Sequence, residues 1–374
     1  MLSLTPLDTM ISSKKIANFQ LRDYQMGALE ACSERHRGLI KVSTGGGKTA
    51  IAAALIKHIG LKTLVLVERV NLATQTKEAY IDYGFKKSDV GVLGDKYNEQ
   101  NGSVLITTVQ SSHKIEDLDS YEVVIADESH HVKAKTYIKL LRKMKNAYYR
   151  FGFSGTVFGE DDVDDTYRIS QFGNIIYEIG TKTLVEAGVL AKPTIRMIEI
   201  KKPQCGHISP YIEEYKLGIA NNYHRNNIIA KFANQLQGKT VILFKFIEHG
   251  QNLHKLIPNA MCYMDGDTPT KERSKMLKAF NRASQGVLIA STIMDEGIDF
   301  SSIDHLIIGG GEKSVIKGIQ RLGRGLRSDG SGKDTVNVID FWDKTSNTLE
   351  RHSRKRMKLY QAESHTVKIF KLEE

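Results

Sequence analysis

Short, nearly unbroken apolar runs alternate with helical stretches through the first half of the chain. Residues 63–67 (TLVLV), 103–108 (SVLITT), 121–128 (YEVVIADE) and 148–156 (YYRFGFSGT) are such runs, and residues 51–59 (IAAALIKHI) read as a helix. Unbroken rather than alternating hydrophobicity marks strands covered on both faces, which predicts a parallel sheet between helices. A second series follows at residues 240–246 (TVILFKF), 260–266 (AMCYMDG), 286–292 (GVLIAST), 305–310 (HLIIGG) and 335–341 (TVNVIDF). The expected fold class is therefore α/β, with two such sheets in tandem. Between the two series lie Pro193, Pro203 and Pro210, where a helical pattern cannot run far. This predicts a first domain at residues 1–190, a linker at 191–222, a second domain at 223–345 and a C-terminal segment at 346–374.

Composition narrows the class. A length of 374 residues suits about two domains, and 41% hydrophobic with 26% charged residues is ordinary for globular chains. No run of about eighteen apolar residues could span a bilayer, and the N-terminus lacks the basic start and apolar core of an export signal. Cys32, Cys205 and Cys262 are too scattered for a disulfide framework or a Cys-x-x-Cys metal site, so a reducing, cytoplasmic setting is expected. The net charge of +10 suits a polyanion partner, although many basic proteins bind none. Residues 351–360 (RHSRKRMKLY) concentrate Arg351, Arg354, Arg356, Lys355 and Lys358, which read either as phosphate contacts or as a solvated helix face.

The chemistry-bearing stretch is KVSTGGGKTA, residues 41–50, placed between an apolar start and the helix. Gly45, Gly46 and Gly47 permit positive φ and expose N–H groups that could curl around an anion, with Thr44 beside them. Lys48 could reach β- and γ-phosphates, the Thr49 hydroxyl could ligate Mg²⁺, and a helix N-terminus adds partial positive charge. The strict pattern G-x-x-x-x-G-K-[ST] fails at Val42, so a tight glycine turn stays open on these residues alone. Downstream, VVIADESHH ends an apolar strand in Asp127 and Glu128, where α/β sheets present catalytic groups. A metal carboxylate followed by a base suits that position. Further on, QRLGRGLR sets Arg321, Arg324 and Arg327 three apart, near one side of a helix, with two glycines that are costly in a helix. Such arginines could stabilise transition-state charge on a γ-phosphate.

Taken in order, STGGGKT, DESH, FSGT (residues 153–156), STIMDEGID (291–299) and QRLGRGLR resemble the superfamily 2 helicases and translocases over residues 21–341. The resemblance implies two RecA-like domains, an ATP cleft between them and a nucleic-acid strand crossing both. LRDYQMGAL (21–29) is similar to the adenine-side motif, which implies that Gln25 reads the adenine edge with Arg22 or Tyr24 in support. It also implies phosphate and Mg²⁺ binding by Lys48 and Thr49, Mg²⁺ binding by Asp127, and Glu128 as base. Ser154 and Thr156 would couple hydrolysis to movement, Gly297 and Asp299 would approach the nucleotide, and Gln320 would position the γ-phosphate. Arg324 and Arg327 match arginine fingers. DESH rather than Asp-Glu-Ala-Asp at residues 127–130 looks most like DNA motors of the UvsW, XPB and restriction-enzyme kinds. The implied activity is ATP-dependent, 3′ to 5′ movement on single-stranded, forked or branched DNA through phosphate contacts, in recombination, repair or replication, with replication or recombination proteins as partners and no membrane. An RNA helicase, a duplex translocase that separates no strands and a nucleotide-controlled binding module are the alternatives.

Overall fold

The apolar runs assemble into two large sheets, one in each of two units, Met1–Gly180 and Thr181–Glu374. The computed structural model describes residues 15–16, 19–43, 45–127, 134–155, 162–189, 192–292, 303–311, 335–362 and 365–371.

The first unit contains strands β1 (Arg37–Val42), β2 (Thr63–Val67), β3 (Val90–Gly94), β4 (Tyr97–Asn98), β5 (Val104–Thr108), β6 (Val123–Asp127), β7 (Tyr149–Ser154) and β8 (Ile175–Ile179). Their order across the sheet is β8-β1-β7-β6-β2-β5-β3-β4, and only the β3–β4 pairing is antiparallel. Helices α1 (Asp23–Ser33), α2 (Lys48–Ile59), α3 (Val70–Asp82), α4 (Ala134–Leu141) and α5 (Asp162–Phe172) connect and cover them. All five residues of β2 and of β5 are buried, as a sheet covered on both faces requires. Because β7 alone separates β1 from β6 and all three run parallel, the C-terminal ends of β1 and β6 lie at the same end of the sheet.

The second unit contains β9 (Lys192–Ile200), β10 (Lys239–Phe244), β11 (Cys262–Met264), β12 (Gly286–Ser291), β13 (His305–Ile308), β14 (Thr335–Asp343) and β15 (Thr366–Phe370). The order is β11-β12-β10-β13-β14-β9-β15, parallel throughout. Among its described residues the helices are α6 (Thr181–Glu186), α7 (Tyr211–Tyr215), α8 (Tyr223–Gln235), α9 (Ile247–Leu256), α10 (Thr270–Arg282) and α11 (Asn347–Ala362). Side chains alternate between two cores. Val241, Leu243, Val336 and Val338 pack on one face, while Ile242, Phe244, Ile339 and Phe341 pack on the other.

Two expectations about organisation give way here. Residues 191–222 are no free linker: β9 lies between β14 and β15 in the second sheet, and the second unit already begins at Thr181. A proline at the second residue of a strand still leaves the rest of the ladder intact. Nor do residues 346–374 form an appended basic segment. Leu349, Ser353, Arg356 and Tyr360 of α11 are buried, and β15 joins the sheet beside β9.

Candidate active site

The loop between β1 and α2 takes its shape from glycine. Gly45 has φ +84° and Gly47 φ +82°, and Gly47 is the N-cap of α2. With no side chain to cap the helix, its first N–H groups open on the loop side, the arrangement that receives an anion. The loop is stitched by Gly46 N–H donating to Ser43 O at 3.0 Å and Ala50 N–H donating to Gly47 O at 3.0 Å.

Helix α1 holds the same loop from the other side. The Tyr24 hydroxyl donates to Gly46 O at 2.9 Å, and Gln25 Nε2 donates to the same carbonyl at 3.3 Å. Gln25 Oε1 in turn accepts from the Arg22 N–H at 2.9 Å, so both ends of this buried amide are engaged. Tyr177 of β8 donates to Tyr24 O at 2.7 Å and ties the arrangement to the sheet edge. The residues assigned to adenine recognition thus touch the backbone of the phosphate loop, while the Arg22 side chain is exposed.

Lys48 and Thr49, at the start of α2, share a cavity with Asp127 at the end of β6. Its walls include Val65, Ile125 and Phe153 from the sheet and Thr76 and Tyr80 from α3. A cation, a hydroxyl and a carboxylate brought together at the ends of the strands suit a phosphate with a divalent ion, because hydroxyl and carboxylate oxygens are hard ligands. Among the described residues no three of His, Cys, Asp and Glu cluster to hold a metal by themselves. Ser154, fully buried, pairs with Lys41 across β7 and β1, one residue after the Phe153–Asp127 pair.

Sequence reasoning did not single out Tyr80 or Thr76. Burial, and then the charge of Asp127, raise the Tyr80 hydroxyl well above its ordinary pKa, so it stays protonated beside the carboxylate. The signal available was helical spacing: Thr76 and Tyr80 are four apart on α3 and face one way.

The second unit contributes a buried charged cluster that the motifs did not indicate. Arg225 pairs with Asp343, and Arg356 pairs with Asp340 at 2.9 Å, all four being at most 1% exposed. Three successive carbonyls at the end of β13 are gripped. Arg225 donates to Gly309 O at 2.8 Å, Tyr215 to Gly310 O at 2.7 Å, and Arg356 to Gly311 O. The chain passes from Gly311 directly into residues 312–334, which carry QRLGRGLR. Arg356, counted above among candidate phosphate contacts, is fully buried and so cannot serve as one. Thr44, Glu128, Thr156, Gly297, Asp299, Gln320, Arg324 and Arg327 lie outside the described residues.

Residues 18–159 match the family described as type III restriction enzyme, res subunit, and residues 223–329 match the helicase conserved C-terminal domain. The chain is 26% identical over 359 residues to the ATP-dependent DNA helicase UvsW of Enterobacteria phage T4, covering 88% of this chain and 71% of that one. It is 25% identical over 360 residues to the DNA 3′-5′ translocase XPB2 of Sulfurisphaera tokodaii, covering 82% and 79%. In fold it is similar to Saccharomyces cerevisiae Dbp5 bound to RNA and ADP BeF3, with a TM-score of 0.66 at 18% identity over 95% of this chain and 90% of that one.

Proposed function

The chain belongs to the superfamily 2 helicases and translocases, enzymes that use ATP, and from that premise we propose that it is a DNA motor moving 3′ to 5′ on forked or branched duplexes. The observation that carries the reading is the convergence of Lys48, Thr49 and Asp127 on one cavity at the edge of the first sheet. In this reading the ammonium of Lys48 and the N–H groups of the loop hold the β- and γ-phosphates. The Thr49 hydroxyl and the Asp127 carboxylate fit Mg²⁺, which when bound neutralises charge on the phosphoryl group. Glu128, next in sequence to Asp127, draws the proton from the attacking water. Gln320 positions the γ-phosphate and Arg324 and Arg327 supply transition-state charge, with Gly297 and Asp299 beside the nucleotide. Ser154, adjoining the loop strand, and Thr156 pass the change in phosphate state to the strand-binding surface. These second-unit roles rest on the sequence motifs.

DNA as substrate is supported by the relatives named DNA helicase and DNA translocase and by the basic balance of the chain. Phosphate contacts carry the affinity, so sequence preference is slight. No described helix is long and apolar enough to cross a membrane, and the setting proposed is the cytoplasm of a bacterial or phage-infected cell. ATP hydrolysis at one fixed salt concentration, with single-stranded, duplex and forked DNA and with RNA, tests the assignment. Forked DNA is expected to stimulate most. Lys48→Ala should abolish productive nucleotide binding, Glu128→Gln should keep binding and stop turnover, and Arg324→Ala should lower kcat far more than affinity. Stimulation by RNA alone, or near-normal turnover in Lys48→Ala, overturns the reading.

A further inference from the structure

Helix α11 separates its charges by face. On its buried side Ser353, Arg356 and Tyr360 bond to β14 of the second sheet while Leu349 packs with Tyr215 and Ile219, and Arg356 is consumed there by Asp340 and Gly311 O. Arg351, Arg354, Lys355 and Lys358 are all exposed. At 3.6 residues per turn these four fall within an arc of about 100°, directly opposite the buried side, and rise about 10 Å along the axis. Glu350 is the only acidic residue of the helix and flanks the arc, pairing with Arg354 at 3.0 Å. The opposite flank carries an aromatic edge: the exposed Tyr211 of α7 packs against His352 with ring centroids 5.3 Å apart, its hydroxyl 3.2 Å from His352 Nδ1.

We propose that this face of α11 is a nucleic-acid contact surface separate from the helicase motifs, binding backbone phosphates through Arg351, Arg354, Lys355 and Lys358, with Tyr211 as a flanking ring for an unpaired base. The inference rests on the reading of the chain as a DNA motor. One strand presents a phosphate about every 3.4 Å of duplex axis, so a rise of about 10 Å spans about three of them. Cations at i,i+3 and i,i+4 spacing concentrate positive charge on one helix face, which a polyanion neutralises. An aromatic ring beside cations also suits a single strand, because every base has a face to stack. A buried arginine in the same run fixes the rotation of the helix, so the remaining cations face outward together.

The test uses the full chain with Arg351→Gln, Arg354→Gln, Lys355→Gln and Lys358→Gln combined, since glutamine keeps helix propensity at exposed positions. A charge-matched control carries Lys86→Gln, Lys87→Gln, Arg142→Gln and Lys143→Gln, four exposed cations of the first unit. Binding of a labelled single strand and of a duplex is measured across a salt series. The α11 variant should bind the single strand more weakly and lose about 0.7 in log–log salt slope per contact, up to about 2 for three phosphates. Its ATP turnover without DNA should be unchanged, and the DNA concentration for half-maximal stimulation should rise several-fold. Tyr211→Ala should weaken single-strand binding with the slope unaltered. An unchanged slope, or an equal loss in the control, overturns the surface while leaving the motor intact. Absence of DNA binding by the unsubstituted chain would instead overturn the DNA assignment itself, and this surface with it.

Discussion

At the scale of single residues, Gly47 shows why the phosphate loop needs glycine at one position in particular. Its φ of +82° is unfavourable for any other residue, and a Cβ there would sit 2.3 Å from Gln25 Nε2. Gln25 cannot simply swing away, because its amide is bound to Arg22 on one side and Gly46 on the other. Gly47→Ala is expected to lower ATP affinity at least tenfold while far-ultraviolet circular dichroism stays unchanged; an affinity within twofold of normal would remove this account. His249 makes a second residue-scale prediction. Burial, with a smaller contribution from Arg225, depresses its pKa from 6.5 to about 3, and Nε2 lies 3.0 Å from Asn226 Oδ1. The folded state therefore holds this imidazole neutral while the unfolded chain protonates it below pH 6.5. That stability is complete above the unfolded pKa and is lost as pH falls towards 3, amounting to about 2 kcal/mol between pH 7.5 and 5. Denaturant unfolding at the two pH values should show the loss, and His249→Gln should flatten it.

Among elements, α11 carries two opposed kinds of basic residue. Arg356→Ala would strand Asp340 and weaken the hold on Asp343 inside the second unit, costing about 3–5 kcal/mol, whereas Arg351→Ala on the outer face should cost about 0.5 kcal/mol or less. Removing residues 346–374 should accordingly unfold the second unit and not merely weaken DNA binding, because Leu349, Tyr360 and β15 leave with it. A cooperative unfolding transition of normal midpoint in that truncated chain would contradict the packing described. The grip on Gly309, Gly310 and Gly311 belongs to this scale as well. Tyr215→Phe deletes one buried hydrogen bond, worth about 1 kcal/mol, at the carbonyl two residues before the arginine-bearing segment begins. It should reduce kcat for ATP several-fold with less change in ATP affinity, read in steady-state kinetics beside equilibrium nucleotide binding.

For the molecule as a whole, each unit has its own hydrophobic core, with Leu39, Leu66, Val124 and Phe172 in one and Val241, Leu288, Val338 and Tyr360 in the other. Residues 1–180 and 181–374 expressed separately should each unfold cooperatively, since among the described residues each of these clusters is built within its own unit. Neither should hydrolyse ATP at more than a background rate, because Lys48 and Asp127 lie in the first and Arg324 and Arg327 in the second. Turnover by the isolated first unit equal to that of the full chain would dismiss the contribution of the arginines.

The sequence by itself determined what short spacing encodes. Continuous apolar runs identified most strands of both sheets, and the succession of glycines, Lys48 and Thr49 identified the loop at a helix start. It also placed Asp127 at a strand end. Strands with weaker patterns escaped: Val90–Gly94 contains two glycines, and Lys192–Ile200 carries a proline near its start. Only tertiary structure decided that Thr76 and Tyr80 border the same cavity as Asp127, and that Gln25 reaches the phosphate loop 21 positions away. It also sorted one arginine of a basic run inward and four cations outward. The physical reason is that local periodicity tells which residues share a face, whereas the partner of that face, and the desolvation of a charge against it, come from segments distant in the chain. Helical spacing puts Arg356 on the face of Leu349 and Tyr360, away from Lys355 and Lys358, but only Asp340 and Gly311, distant in the chain, decide that a charge can be buried there.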